Sequence, residues 1–275
     1  TTERLVFGTG VTNASTRHLS VLASTWSTLA ELSGGRVILG IGTGDSSLRT
    51  MGLHPLKLAE LERYVADLRT LFAGGEVIEP TSGASFRLAW SEPRDIPIYI
   101  AASAPKIMKL AGRIADGVVM LVGTDPRFVQ AGLDLVAEGA AEAGRTLDDI
   151  HVTLWTPTAI GSDEALAADL VRAHVARILI RPLPAELDDE TMRQIEQIAR
   201  SYDYYKHMST SAGHAELVPD SLIRHFALAG TPATCAEQYQ ALRELAIDEI
   251  AIIPYVPEGG DRLSVMQHFA DFAHG

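Results

Sequence analysis

Leu5-Val-Phe-Gly-Thr-Gly-Val-Thr-Asn13 decides how the rest of this chain is read. Three apolar residues run into Gly8-Thr9-Gly10 and end on the polar pair Thr12-Asn13, the pattern of a short buried strand. Glycines at a strand's C-terminal end let another group approach the backbone closely, or let the backbone adopt a conformation that a Cβ forbids. The design recurs at Val37-Ile-Leu-Gly-Ile-Gly-Thr-Gly-Asp45 and at Ile98-Tyr-Ile-Ala-Ala-Ser-Ala-Pro105. A tight strand-to-helix turn accounts for one such end. Three alike point to one shared pocket floor.

Helical periods lie between these strands. Apolar residues at helical spacing predict helices over 17–32, ended by Ser33-Gly34-Gly35, and over 56–72, ended by Gly74-Gly75. Residues 76–96 read as irregular, with a small strand near 85–90. Further on, helices are expected over 105–114, 126–143, 164–178, 232–245 and 262–272, and strands over 96–101, 118–122, 150–160 and 249–254. Residues 181–220 break this rhythm with an acidic run and a polar stretch, and read as an insertion carrying its own helix over 191–200. Continuous apolar strands alternating with helices imply a parallel sheet with right-handed crossovers. Both an open doubly wound sheet and a (βα)8 barrel fit. Six strand-then-helix units are visible where a barrel needs eight; since the chain begins without Met just before a buried strand, the barrel reading expects the first two units to be absent.

The chain has 275 residues, of which 47% are hydrophobic and 21% charged, and a net charge of −12. That composition is a soluble globular one, long enough for a single α/β barrel. No Lys/Arg cluster exists to neutralise nucleic-acid phosphates. No apolar run approaches a membrane span, and no signal peptide is present. Cys235 is the single cysteine. It rules out an internal disulfide or a cysteine metal site and suits a reducing cytoplasm.

In either architecture ligands bind at the C-terminal ends of the strands. The candidates are therefore residues 8–13, 42–46, 101–104, 122–124 and 156–158, nearly all Gly, Ala, Ser or Thr. Such a lining offers backbone N–H and hydroxyl groups and room for a large flat ligand, but no metal-ligand cluster and no nucleophile–base pair. An enzyme so poor in reactive side chains relies on a cofactor. Gly40-Ile-Gly-Thr-Gly44 lacks the third glycine and the downstream acidic residue of a dinucleotide fingerprint. Asp45 is the exception in the lining, placed either to point into a pocket or to cap the following turn. Lys106 and Lys109 could meet an anion, although on a helix such lysines are usually solvated. His18 and His207 stand out among the histidines, and single histidines are more often structural than catalytic.

Gly8-Thr-Gly-Val-Thr-Asn13, Arg17-His18, Leu29-Ala-Glu-Leu-Ser-Gly-Gly-Arg36, Leu39-Gly-Ile-Gly-Thr-Gly-Asp45, Ile98 to Lys106 and Ala115-Asp-Gly117 together resemble the bacterial luciferase-like superfamily. The nearest resemblance is to its deazaflavin-dependent branch, that of methylenetetrahydromethanopterin reductase. The resemblance covers nearly the whole chain. It implies a (βα)8 TIM barrel over residues 1–275 with an insertion after the seventh strand at about 181–220, and it places Leu5 in the third strand.

Carried over by position, Gly10-Val11 matches a non-prolyl cis peptide that bulges against the cofactor ring. Thr43 matches a ring-contacting position, and Asn13 and Gly44 join the same cofactor set. Ala101, Ala102, Ser103 and Ala104 match the segment around the cofactor's side chain and phosphate. Asp45 matches a carboxylate that, in the sugar-phosphate dehydrogenases of the branch, handles a proton beside the reacting carbon. The resemblance thus implies an oxidoreductase passing hydride between coenzyme F-420 and a small organic or pterin-like substrate, cytoplasmic and homodimeric. Thr124 stands where the sugar-phosphate dehydrogenases of the branch have a phosphate-binding Lys, which disfavours glucose 6-phosphate, and Ala14 replaces a usual Pro. The alternatives are an FMN-dependent monooxygenase using reduced flavin and oxygen, disfavoured by the absence of an arginine set at the strand ends, and a non-catalytic or partner-binding member.

Overall fold

The computed structural model describes residues 2–206, 209 and 212–273. Its first elements are β1 (Phe7–Gly8), β2 (Thr12–Asn13), α1 (Leu19–Ser33), β3 (Val37–Gly42), α2 (Asp45–Thr50), α3 (Leu58–Phe72), β4 (Val77–Ile78), β5 (Ser85–Phe86), β6 (Ile98–Ala102) and α4 (Pro105–Ile114). There follow β7 (Gly117–Met120), α5 (Pro126–Glu142), β8 (His151–Ile160), α6 (Glu164–Leu179), α7 (Asp189–Ser201), α8 (Asp220–Phe226), β9 (Leu228–Gly230), α9 (Pro232–Arg243), β10 (Glu249–Pro254) and α10 (Arg262–Ala273). The helices begin and end where local chemistry directs. Asp125, Asp163, Asp188 and Thr231 cap α5, α6, α7 and α9 by accepting from backbone N–H groups, and Gly34, with φ of +67°, closes α1.

The main sheet runs β1–β3–β6–β7–β8–β10, with β2 also on β3 and β9 also on β8, and each of these pairs is parallel. Spatial order follows chain order without the reversal of a doubly wound sheet. The sheet is also curled. A Cβ on Gly10, between β1 and β2, would lie 3.2 Å from the indole of Trp155 on β8. Four strand spacings would hold them roughly 19 Å apart in a flat sheet. Helices cover the outer face, and their apolar sides form the core with Leu39, Ile41, Ile98, Ile100, Val118 and Leu154. Cys235 lies in this core, where burial pushes its thiol up to about 12.

Two local readings change. Leu5, Val6 and Phe7 were expected to be buried and are instead 54%, 50% and 50% exposed. β1 is an edge: β3 covers one side of it, and no described strand pairs with the other. The small strand near 85–90 is the second arm of a hairpin, Val77–Ile78 against Ser85–Phe86.

Packing between α4 and α5 depends on two glycines. A Cβ on Gly139 would sit 1.9 Å from the Lys109 carbonyl oxygen, and one on Gly112 would sit 2.0 Å from that of Val136. Gly139→Ala must therefore push the helices apart. The expected cost is about 2 kcal/mol or more, seen as a drop in Tm of roughly 4–8 °C.

A second constraint ties α5 to α8. Asp125 accepts from the Arg127 backbone N–H and side chain, and its Oδ2 lies 2.7 Å from His225 Nδ1. Burial acts to raise this carboxyl, but those hydrogen bonds outweigh it and hold it at about 2. An unfolded Asp titrates near ~3.9, so the contribution is present above about pH 4 and is lost as pH falls towards 2. Asp125→Asn keeps the cap and removes the charge. The variant's urea midpoint should fall below wild type at pH 7, with the gap closing between pH 4 and pH 2.

Candidate active site

The floor of the site is backbone. β3 carries Gly40 where a Cβ would lie 1.9 Å from the Thr9 carbonyl oxygen, so only glycine allows the 9–11 loop to rest on this strand. Thr9 Oγ1 donates to the Gly40 carbonyl at 2.7 Å and fastens the loop there. The Gly10–Val11 peptide bond is cis, as the resemblance implied. β3 then leaves the sheet through Gly44, whose φ of +81° suits glycine and whose Cβ would clash with Asn13 at 2.8 Å.

Above this floor a cavity of about 700 Å³ opens among the strand ends, a volume suited to a small-molecule ligand. Gly10, Val11, Thr43, Gly44, Asp45, Ala101, Ala102, Ser103 and Ala104 all line it. Asn13 does not: its Oδ1 accepts from the backbone N–H groups of Ser15 and Thr16, and its Nδ2 donates to Ser47 Oγ at 3.3 Å. The other singled-out positions separate in the same way. Lys106 lines the cavity, whereas Lys109 is paired with Glu138. His18 caps α1 by accepting from the Ser20 N–H, and His207 lies outside the described residues. Thr124 is buried and donates to the carbonyls of Arg224 and Ala227. Thr156 and Thr158 are fully buried and absent from the lining, where β8 instead contributes Trp155, the opposite parity of the strand.

Asp45 is the first residue of α2 and does not cap it; Gly44 holds that position. Its carboxylate instead meets three guanidiniums. Oδ1 accepts from Arg49 Nε at 2.7 Å, and Oδ2 accepts from Arg177 Nη2 at 3.2 Å and contacts Arg181 Nη2. Arg177 and Arg181 stand at the end of α6 and just beyond it, with side chains 13% and 18% exposed. Burial pushes both guanidiniums below their usual value. Tyr204 lies 5.4 Å from the Arg49 guanidinium, and Tyr205 Oη donates to the Thr50 carbonyl at 3.1 Å, so the segment after α7 covers α2. His174 also lines the cavity, with Nδ1 2.9 Å from Tyr255 Oη, and burial pushes the Tyr255 phenol up to about 12.

Arg177, Arg181 and His174 were not foreseen from the sequence. A signal was available: in Val171-Arg-Ala-His-Val-Ala-Arg-Ile-Leu-Ile-Arg181, apolar apart from these three and Arg172, they are spaced i, i+3, i+7, which is one helix face. Among the described residues no group of His, Cys, Asp and Glu could hold a metal ion, and no helix is long and apolar enough to cross a membrane.

Known proteins bear on this geometry. The chain is 31% identical over 277 residues to 5,10-methylenetetrahydromethanopterin reductase of Methanopyrus kandleri, covering 91% of this chain and 77% of that protein. It is 33% identical over 181 residues to the F420-dependent glucose-6-phosphate dehydrogenase of Microbacterium testaceum, covering 62% and 54%. The solved coenzyme F420-dependent tetrahydromethanopterin reductase of Methanopyrus kandleri superposes with a TM-score of 0.73 at 27% identity, over 96% of this chain and 80% of that one. The luciferase-like monooxygenase family model matches residues 1–249, and the chain belongs to that family of oxidoreductases.

Proposed function

We propose that the chain is a cytoplasmic, homodimeric (βα)8-barrel oxidoreductase that passes hydride between coenzyme F-420 and a small organic or pterin-like substrate. One observation carries the reading: a cavity floored by the Gly10–Val11 bulge on Gly40, in a chain 31% identical over 91% of its length to a methylenetetrahydromethanopterin reductase. The residues fit a flat ring. A Cβ at Gly40 would meet the 9–11 loop, and one at Gly42 would meet Val11 and Ala101, so the floor is as low as a polypeptide can make it.

Gly10 and Val11 would prop the ring, with Thr43 and Gly44 along its edge. Ala101 to Ala104 lead into the N-terminus of α4, which together with Lys106 offers N–H groups and positive charge to the cofactor's phosphate. When bound, the cofactor supplies the hydride chemistry. Asp45, the only carboxylate among the described residues lining the cavity, would carry the accompanying proton. Both its oxygens hold guanidiniums, so this role requires one of those contacts to open.

Two measurements test the reading. Titration followed by ring fluorescence should show F-420 binding at least tenfold more tightly than FMN. The reverse order supports the reduced-flavin monooxygenase instead, and failure to bind either supports the non-catalytic member. General acid–base groups contribute about 10²–10⁴-fold, so Asp45→Asn should lower kcat by that factor with F-420 affinity preserved. A loss below tenfold removes Asp45 from the proton role.

A further inference from the structure

Charge is distributed unevenly in this protein. The chain as a whole carries −12, yet the described side chains lining the cavity include four cations, Arg49, Lys106, Arg177 and Arg181, against the single anion Asp45. Arg49 and Lys106 are exposed, but Arg177 and Arg181 are largely buried, and burying cations without matching anions is costly unless something else supplies the negative charge. Hydrogen bonding tells the same story. Nη1 of Arg177 and Nε of Arg181 are buried and have no hydrogen-bond partner. A buried guanidinium N–H left unmade is unfavourable by more than a neutral one. The Asp45 carboxylate and the Tyr204 hydroxyl, which hydrogen-bonds Arg181, together leave donors of both buried guanidiniums unmet.

We propose that Arg49, Arg177 and Arg181 form the seat of an oxyanion, a carboxylate or phosphate, borne by the substrate. Asp45 is their resident counterion. This assignment rests on the cavity being the redox site proposed above, and it narrows the substrate class to acidic molecules. The seat bridges the mouth of the curled sheet: Asp45 and Arg49 belong to α2, which follows β3, while Arg177 and Arg181 belong to the crossover that follows β8. It is therefore separate from the α4 N-terminus and Lys106, which follow β6 and suit the cofactor's phosphate. Guanidiniums, with fixed planar forks, suit an oxyanion with two or three equivalent oxygens. A substrate anion in this seat competes with Asp45 for the same N–H groups, which frees a carboxylate oxygen beside the ligand.

The experiment uses calorimetric titration of the full chain with inorganic phosphate and, separately, succinate. Arg177→Gln and Arg181→Gln should each weaken binding of these probes at least tenfold. Arg181→Lys, which keeps the charge, should recover part of that loss. Asp45→Asn should act oppositely and tighten binding at least threefold, because it removes the competing carboxylate. That opposed response keeps the test informative even if an arginine variant fails to fold. Absence of probe binding in both wild type and Asp45→Asn overturns the proposal and leaves the cluster as an internal ion-pair network. Titration with F-420 separates the two possible sources of the anion. Affinity for F-420 within threefold of wild type in Arg181→Gln supports a substrate seat. A tenfold loss, together with competition between phosphate and F-420, assigns the seat to the cofactor and overturns the proposal. Probe binding in a wild-type chain that does not bind F-420 fails the cofactor reading alone.

Discussion

The contact between the Thr9 carbonyl and the bare Cα of Gly40 sets the rest of the site. It lets the 9–11 loop lie directly on β3, and the Thr9 hydroxyl fastens it there through the Gly40 carbonyl. Because the loop projects inward, Gly10 comes against Trp155 on the far side of the curl, so the cavity floor is closed from both directions. Gly42 and Ala101 continue that floor with little or no side chain. A larger residue at any of these places would occupy the volume that a flat ring needs. The pocket's depth is thus a consequence of that close approach.

Curling also determines which helix faces the opening. In a flat sheet α6 and α2 would be separated by the strands between β3 and β8. Here the end of α6 reaches Asp45, and His174 and Arg177 on that helix, with Arg181 just beyond it, become one wall of the cavity. The outer face of α6 is apolar packing against Phe226, Ile198 and their neighbours. His174 and Arg177 are consequently held by the core behind α6, while Arg181 follows the helix's last turn. The ion pairs with Asp45 are partly buried, so salt screens them less than it screens exposed pairs such as Arg200–Glu196.

Much of the fold was legible in sequence because most elements carry a full helical period or an uninterrupted apolar strand. Two of the elements not foreseen lack that signal, whereas α8, with Leu222, Ile223 and Phe226 on one face, carried it over only seven residues. α2 spans six residues, Asp-Ser-Ser-Leu-Arg-Thr, with a single buried apolar position, and β9 spans three. The exposure of Leu5, Val6 and Phe7 depends on the absence of a described neighbour beyond β1, which apolar character alone does not report. At the site, the floor was legible because glycine and alanine at strand ends are a local signal. The rim was not. Arg177 and Arg181 lie about 130 residues beyond Asp45 in the chain, and only the curl brings them to it. Asn13 shows the converse: a polar residue beside a pocket, spent on its own turn.

This division has a chemical consequence. The floor is neutral and offers backbone and methyl groups, so it would meet a flat ring by shape alone and leave discrimination between similar rings to the groups around it. The rim is cationic and directional. On the proposed reading an anionic ligand would be oriented by the rim before the floor is engaged, because Coulomb attraction acts over several ångströms while shape contact acts only at closure. On that reading, orientation by charge at one end and by close packing at the other would place a reacting carbon between them without any reactive side chain on the floor, in a pocket whose described lining holds one carboxylate, one histidine and no cysteine.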